Sequence, residues 1–296
     1  MNFQERVSNS IKGISDSFRV LIGPGWLTML ADVDAPPSIL TAMQSGYYTG
    51  GLAMIPWLIL LTIPLYFIQE LTIRAALGSG KGMGTLLREV YGNKVAAISL
   101  IAMLIIDGAA YVGEYAAISA IGLLFGVPVV ISVISVLAFH TAIILMGGSY
   151  KRVENVLLAI SAFILVYLAA FIVIPIKPPQ EVYGALLSMF LPSSYANSLY
   201  VTLLAANIGA VIMPWMLYYQ QSAIVDKGLR REHYTHERFE TVMGAVISET
   251  LMIGSLLVGY CLGPGGVGGL LMVFNRHSSP LAGSLARIGS WWLPWV

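Results

Sequence analysis

Charge is scarce in this sequence. Asp, Glu, Lys and Arg make up 10% of its 296 residues, and hydrophobic residues make up 57%. Soluble domains carry about 25% charged residues, so the balance excludes a soluble globular domain and leaves an integral membrane protein. The net charge is +1 and no basic stripe is present, which gives nucleic acid no footing as a partner. Cysteine is almost absent. Cys261 alone can form neither an internal disulfide nor a cysteine metal cluster, and reads as a small apolar residue in a span. The N-terminus, Met1–Val20, mixes charged and polar residues and lacks the short apolar core of a cleavable signal peptide. The small-residue run Gly263–Gly269 lacks the lysine and the serine or threonine of a phosphate loop and reads as an outer loop. No nucleophile–base pair or zinc-hydrolase motif is visible, so the sequence does not read as an enzyme.

What the sequence does hold is two long apolar stretches, each broken in the middle by proline. The first is Leu21–Gly46, interrupted at Asp34-Ala35-Pro36-Pro37; the second is Leu199–Val225, interrupted at Met213-Pro214. A segment crossing lipid normally keeps every backbone group bonded within one helix. Proline removes a donor and clashes with the preceding turn, so each stretch is expected to split into two half-helices. Unwound backbone with a carboxylate beside it at membrane depth is how secondary transporters hold cations.

Spans of about 20 apolar residues are expected at roughly 20–46 (broken), 51–77, 95–125, 128–149, 153–176, 199–225 (broken) and 240–263. An eighth begins near Pro280 and stops at Val296, so the fold is expected to be C-terminally incomplete. With the N-terminus cytoplasmic, thirteen Lys and Arg residues fall on inner segments and only Lys177 and Arg276 on outer loops. The positive-inside rule therefore favours a multi-pass cell-membrane protein with its N-terminus inside. Five crossings separate the two broken spans, which then run in opposite directions, as in an inverted repeat. The expected organisation is a single transmembrane domain over 1–296: a cytoplasmic segment 1–19, a first five-helix repeat 20–176 and a partial second repeat 199–296. The charged stretch Asp226–Glu240 reads as a solvated inner loop, and its His233 and His236 as surface residues rather than a metal pair.

Several residues are candidates for chemistry. Asp34 sits at the first break, where the last carbonyls of the preceding half-helix, including that of Ala31, lack intrahelical partners and carry partial negative charge. A cation there meets a carboxylate and carbonyl oxygens; the alternative is that Asp34 merely caps the second half-helix. Met213, at the second break, is a possible thioether ligand that would favour transition metals, and Ala210, one turn earlier, a possible carbonyl ligand. Asp107 and Glu114 are seven apart in the third span, with Tyr111 between them on the same helical face; intramembrane acids of this kind relay protons, as Asp34 itself could. Asp32 reads as solvated in an entrance or bonded to nearby backbone, and Glu249 as a hydrogen-bonded structural acid. Glu70 and Arg74, four apart, read as a helix-end ion pair, and His140 as a packed polar residue.

These residues carry a family likeness. Gly23-Pro24-Gly25-Trp26 followed by Asp34-Ala35-Pro36-Pro37 resembles the first helix of the NRAMP family of divalent-metal transporters, which reads Gly-Pro-Gly-Phe and then Asp-Pro-Gly-Asn. Gln69-Glu70-Leu71, Arg74 and Gly78–Gly82 resemble the end of the family's second helix and the loop after it. Glu114 followed by Leu124-Phe125-Gly126-Val127-Pro128 is similar to the third helix and its turn. Gly209-Ala210-Val211-Ile212-Met213-Pro214, continued by Leu217-Tyr218, resembles the sixth.

The resemblance implies an all-α LeuT-like inverted-repeat fold with discontinuous helices 1 and 6. It also implies proton-coupled uptake of manganese or iron by alternating access. It implicates Asp34, Met213 and the carbonyls of Ala31 and Ala210 as metal ligands, and places Pro37 where the family has its asparagine ligand. Pro37 offers no side-chain oxygen. The histidine after Met-Pro in the family is Trp215 here, and an aspartate of the third helix falls on or near Tyr111. These departures resemble the NRAMP-related magnesium transporters, which form the alternative reading. A non-transporting membrane sensor or scaffold is the alternative from another class. The implied partners are the transported divalent ion, protons and the bilayer; no resident cofactor and no oligomeric state is implied.

Overall fold

The computed structural model describes residues 24–48, 52–145, 156, 177–187 and 198–289, with backbone alone at 24, 30, 35–37, 124, 186 and 262–289. The expected cytoplasmic segment 1–19 and fifth span 153–176 lie outside the described residues, apart from position 156. The described residues form helices and turns, with no strand among them.

Both breaks are present. Helix α1 (Pro24–Ala31) ends in three non-helical residues; a π-helical turn (Ala35–Leu40) and α2 (Thr41–Tyr48) then complete the first broken span. Helix α3 (Ile55–Ser79) and helix α4 (Met83–Leu124) follow. Gly92 interrupts α4 with φ 85° and ψ 170°, a left-handed conformation open to glycine because it has no Cβ. The long helix is therefore two helices meeting at a kink, the second of which carries the expected third span. Next come α5 (Val129–Leu145) and a short α6 (Pro179–Leu187). The second broken span is α7 (Ser198–Val211) and α8 (Pro214–Asp226), interrupted at Ile212 and Met213. A single 3-10 turn (Arg231–His233) leads into α9 (Tyr234–Gly289).

Two expectations about α9 fail. The stretch Asp226–Glu240 is not a long solvated loop: α9 starts at Tyr234 and buries Glu237 and Glu240 within its first two turns. His236 reaches Glu240 at 2.9 Å, one turn on, a pairing the i, i+4 spacing makes available. The run Gly263–Gly269 is helical rather than a loop. Five glycines at about 1 kcal/mol each and Pro264 at about 3 kcal/mol oppose a helix in water, but within an apolar span no water replaces a broken backbone bond, which favours keeping the helix.

The core sits where α9 packs across α1, α2 and α3. A Cβ on Gly46 of α2 would collide with the Leu256 carbonyl, and one on Gly259 of α9 with the Met43 carbonyl. These two glycines let the backbones meet, the small-residue contact that apolar surroundings demand between membrane helices. Buried polar side chains tie the helices across long sequence distances. Thr72 Oγ1 donates to Gln220 Oε1 (2.9 Å), and Gln220 Nε2 donates to Thr241 Oγ1 (3.1 Å), joining α3, α8 and α9. Asn207 Nδ2 donates to Ser45 Oγ at 2.7 Å, joining α7 to α2. Such bonds give these donors partners where no water is at hand, although Asn207 Oδ1 itself has none.

Four helical stretches among the described residues are long and apolar enough to cross a membrane: Ile55–Ser79, Met83–Leu123, Ser198–Asp226 and Arg231–Cys261. Most of their outward side chains are large and apolar, Phe67, Leu71, Ile98, Leu104 and Ile105 among them, each more than half exposed. Lipid supplies the natural environment for such a surface.

Candidate metal site

Pro36 and Pro37 have no N–H with which to continue α1 onto the carbonyls of residues 32 and 33, and the carbonyl of Asp34 accepts from both Ser38 N (3.3 Å) and Ile39 N (3.0 Å), the second at π-helical spacing. The wide turn that results is the π-helical start of the second half-helix. Asp34 itself is extended (φ −74°, ψ 148°), and its side chain makes no capping hydrogen bond. The capping alternative therefore lacks its defining contact. Upstream, Asp32 N closes the last turn of α1 on Thr28 O (3.1 Å), and the carbonyls at 29–31 follow without intrahelical donors. The fully buried Ser38 donates to Asp32 O at 2.6 Å and pins the two half-helices to each other across the gap.

A cavity of about 320 Å³ opens against this break. Ala31 and Asp34 form one wall. Asp107, Tyr111 and Glu114 form another, projecting from successive turns of one face of α4. Trp215, from the first turn of α8, closes a third side. His140 of α5 stacks on Tyr111, with ring centroids 5.8 Å apart, and supports the wall from behind. Three carboxyl groups thus face one partly open volume. Asp107 Oδ1 has no hydrogen-bond partner, and Asp34 and Asp107 lie within electrostatic reach of each other. A cation in the cavity would meet acidic groups on both of these walls.

The second break is built differently. Met213 is extended (φ −96°, ψ 138°), as the residue before a proline must be, and its carbonyl accepts from Met216 N at 3.2 Å. Met213 and Ala210 are 4% and 3% exposed and belong to the apolar core with Met216 and Met252. Neither is among the described residues lining the cavity, where Trp215 stands instead. The structure thus brings together Ala31, Asp34, Asp107 and Glu114 of the expected set and leaves Met213 and Ala210 in the packing of the second break. Pro37 lies in the π-helical turn, where its backbone alone is described.

Two acids depart from expectation. Asp32 is fully buried rather than solvated, and Ser248 Oγ donates to its Oδ2 at 3.3 Å. Glu249, 2% exposed, has no hydrogen-bond partner on either carboxyl oxygen; it lies within electrostatic reach of Asp32 rather than resting in a polar pocket. A serine–glutamate pair in the middle of an apolar span was the sequence signal for this contact, but its partner lies 216 residues upstream. Glu70 and Arg74 do form the expected ion pair, at 2.7 Å.

Several apolar spans, two of them broken, with a carboxylate at one break and an acid-lined cavity beside it, define a multi-pass helical membrane protein. The chain belongs to the Nramp family: the family model described as natural resistance-associated macrophage protein-like matches residues 25–258. It is 24% identical over 263 residues to a divalent metal cation transporter, MntH, of Staphylococcus haemolyticus, covering 86% of this chain and 56% of that one. It is 26% identical over 247 residues to the MntH of Brucella suis, covering 80% of this chain and 51% of that one. The chain spans about half the length of these curated relatives, and both carry a transporter's name rather than an enzyme's.

Proposed function

We propose that the protein moves a divalent metal cation of the Mn²⁺/Fe²⁺ type across the membrane, with the ion bound at the first break. The observation that carries this reading is the cavity in which Asp34 and the end of α1 at Ala31 face Asp107 and Glu114. Two relatives named as divalent metal cation transporters support the substrate class. In this reading Asp34 and the carbonyl of Ala31 replace part of the ion's water shell. Met213 and the Ala210 carbonyl join them when the two broken spans approach, and Pro37 occupies a ligand position without supplying an oxygen. Asp107 and Glu114 exchange protons with the cavity as the cation enters and leaves. The half-helices rock against the remaining spans in a LeuT-like inverted repeat, with the N-terminus cytoplasmic.

A second reading is favoured by one feature of the cavity: its ligating groups are carboxyl, phenol and carbonyl oxygens, and the thioether is elsewhere. Hard oxygen donors with room for retained waters suit Mg²⁺, whereas a sulfur ligand suits Mn²⁺ or Fe²⁺.

Purified protein in proteoliposomes, offered Mn²⁺, Fe²⁺, Cd²⁺, Mg²⁺ and Ca²⁺ in turn with internal pH recorded, separates these readings. Uptake of Mn²⁺ and Fe²⁺ ahead of Mg²⁺, with internal acidification, is the expected result. Mg²⁺ uptake without acidification establishes the second reading. Metal binding without flux overturns both and makes the protein a sensor or scaffold.

A further inference from the structure

A second cluster lies far from the cavity in sequence, at the N-terminal end of α9. Glu70, 3% exposed, is its hub. Arg74 Nε holds its Oε1 at 2.7 Å, the Tyr234 hydroxyl donates to the same oxygen, and Arg238 Nε lies 3.7 Å away. Arg238 also donates to the Tyr66 hydroxyl at 3.0 Å. The Tyr234 ring sits between two guanidiniums, 5.7 Å from Arg74 and 5.4 Å from Arg238. These contacts fix two long, flexible side chains that would otherwise wander. Both remain well exposed, with 61% and 46% of their side-chain surface open.

The fixed arginines line an open depression of about 640 Å³ together with Leu77, Gly78 and Arg231. Among the described residues Arg231 has no ion-pair partner. Three guanidiniums against one buried carboxylate leave a surplus of positive charge in one concavity, and nothing in the ion pairing consumes it. Guanidinium forks match phosphate oxygens.

The surface leading into the depression is apolar. On α3, Leu60, Ile63, Phe67 and Leu71 follow helical spacing to Arg74 and Gly78, and the four apolar residues are 52%, 54%, 58% and 61% exposed. They share one face. An apolar stripe that ends in a basic pocket matches an amphiphile with a phosphate at its head, and does not match a freely soluble anion.

We propose that this depression binds the headgroup of an anionic phospholipid, whose acyl chain lies along Leu60, Ile63, Phe67 and Leu71. Basic pockets between membrane helices on the cytoplasmic side recognise such headgroups, and the N-terminus-inside orientation expected from the Lys and Arg distribution would put this end of α3 on that side. The proposal needs the membrane-spanning reading but not metal transport, so failure of one leaves the other standing.

The test is native mass spectrometry of the purified full chain, titrated with phosphatidylglycerol, with phosphatidylcholine, or with inorganic phosphate as competitor. Arg231→Gln is the first variant, because it strands no buried partner. Gly78→Asp is the second: a Cβ there meets nothing within 4 Å, so a negative charge enters the depression without a clash. Wild type is expected to retain phosphatidylglycerol over phosphatidylcholine. Arg231→Gln is expected to weaken that binding roughly five-fold, the effect of one basic residue near an anionic surface, and Gly78→Asp to weaken it in the same direction. Equal retention of the two lipids, or unchanged phosphatidylglycerol binding in both variants, overturns the proposal. Displacement of the lipid by equimolar inorganic phosphate overturns it in favour of a soluble phosphate site.

Discussion

At both interruptions a residue is extended ahead of proline, Asp34 with φ −74° and ψ 148° and Met213 with φ −96° and ψ 138°. The backbones are close; the surroundings are not. The first break has two prolines in succession and opens into a wide π-helical turn bonded to the Asp34 carbonyl. It is cross-tied by Ser38 and leans on α9 through Ser248 and Asp32. The second has one proline, closes on an i, i+3 bond from Met216 N to Met213 O, and sits in methionine-rich packing. Proline makes the break in each case, but the extended residue, Asp34 two positions before Pro36 or Met213 directly before Pro214, decides whether the break offers charge or merely fills space. The first break brings its own carboxylate to the acid-lined cavity, whereas the second reaches it through Trp215, just after Pro214.

If that asymmetry is functional, the breaks should respond differently to substitution. The largest effect is expected from Asp34→Asn, which keeps the shape of the first break and removes its charge. Loss of a group that merely supports a metal ligand costs about 10–100-fold in affinity or activity, so loss of the ligand itself is expected to lower metal uptake by more than about 100-fold in proteoliposomes. Normal uptake in this variant would erase the distinction between the breaks.

Ser248→Ala is expected to rank second. It strips the donor from Asp32 Oδ2, whose other oxygen has no partner. An orphaned buried group costs about 1–3 kcal/mol, which should appear as a lower midpoint of thermal unfolding in detergent. An unchanged midpoint would show that the first break does not depend on α9 in this way.

Met213→Leu should have the smallest effect on stability. It keeps the volume of the second break and removes only the sulfur, a swap expected to cost less than about 1.5 kcal/mol. Paired measurements of unfolding and of Mn²⁺ and Cd²⁺ uptake against Mg²⁺ and Ca²⁺ separate packing from ligation. Reduced preference for the softer ions at near-normal stability makes the thioether a ligand; unchanged preference leaves the second break with a packing role alone.

Much of this was legible in advance, and for local reasons. Proline acts on its own backbone, so the sequence located both breaks within a residue or two. Asp107, Tyr111 and Glu114 share a face by spacing alone, and the structure sets that face against the first break. What misled was polarity taken at face value. Asp32 looked like a residue solvated in an entrance or bonded to nearby backbone, yet it is fully buried and takes its bond from the Ser248 side chain, with Glu249 within electrostatic reach. The glycine run 263–269 looked like a loop because glycine so often marks one, yet it continues α9.

By itself, the sequence determined that the chain lives in lipid, that two of its spans are discontinuous, and that an acid stands at one discontinuity. Composition, helical period and the missing proline N–H are properties of residues and their immediate neighbours. Only the tertiary structure decided which acids share a cavity, that Met213 packs while Trp215 faces that cavity, and that Glu70 gathers Tyr234 and Arg238 from more than 160 positions away. Burial and pairing are set by what other helices bring alongside, and the order of residues along one helix does not contain that information.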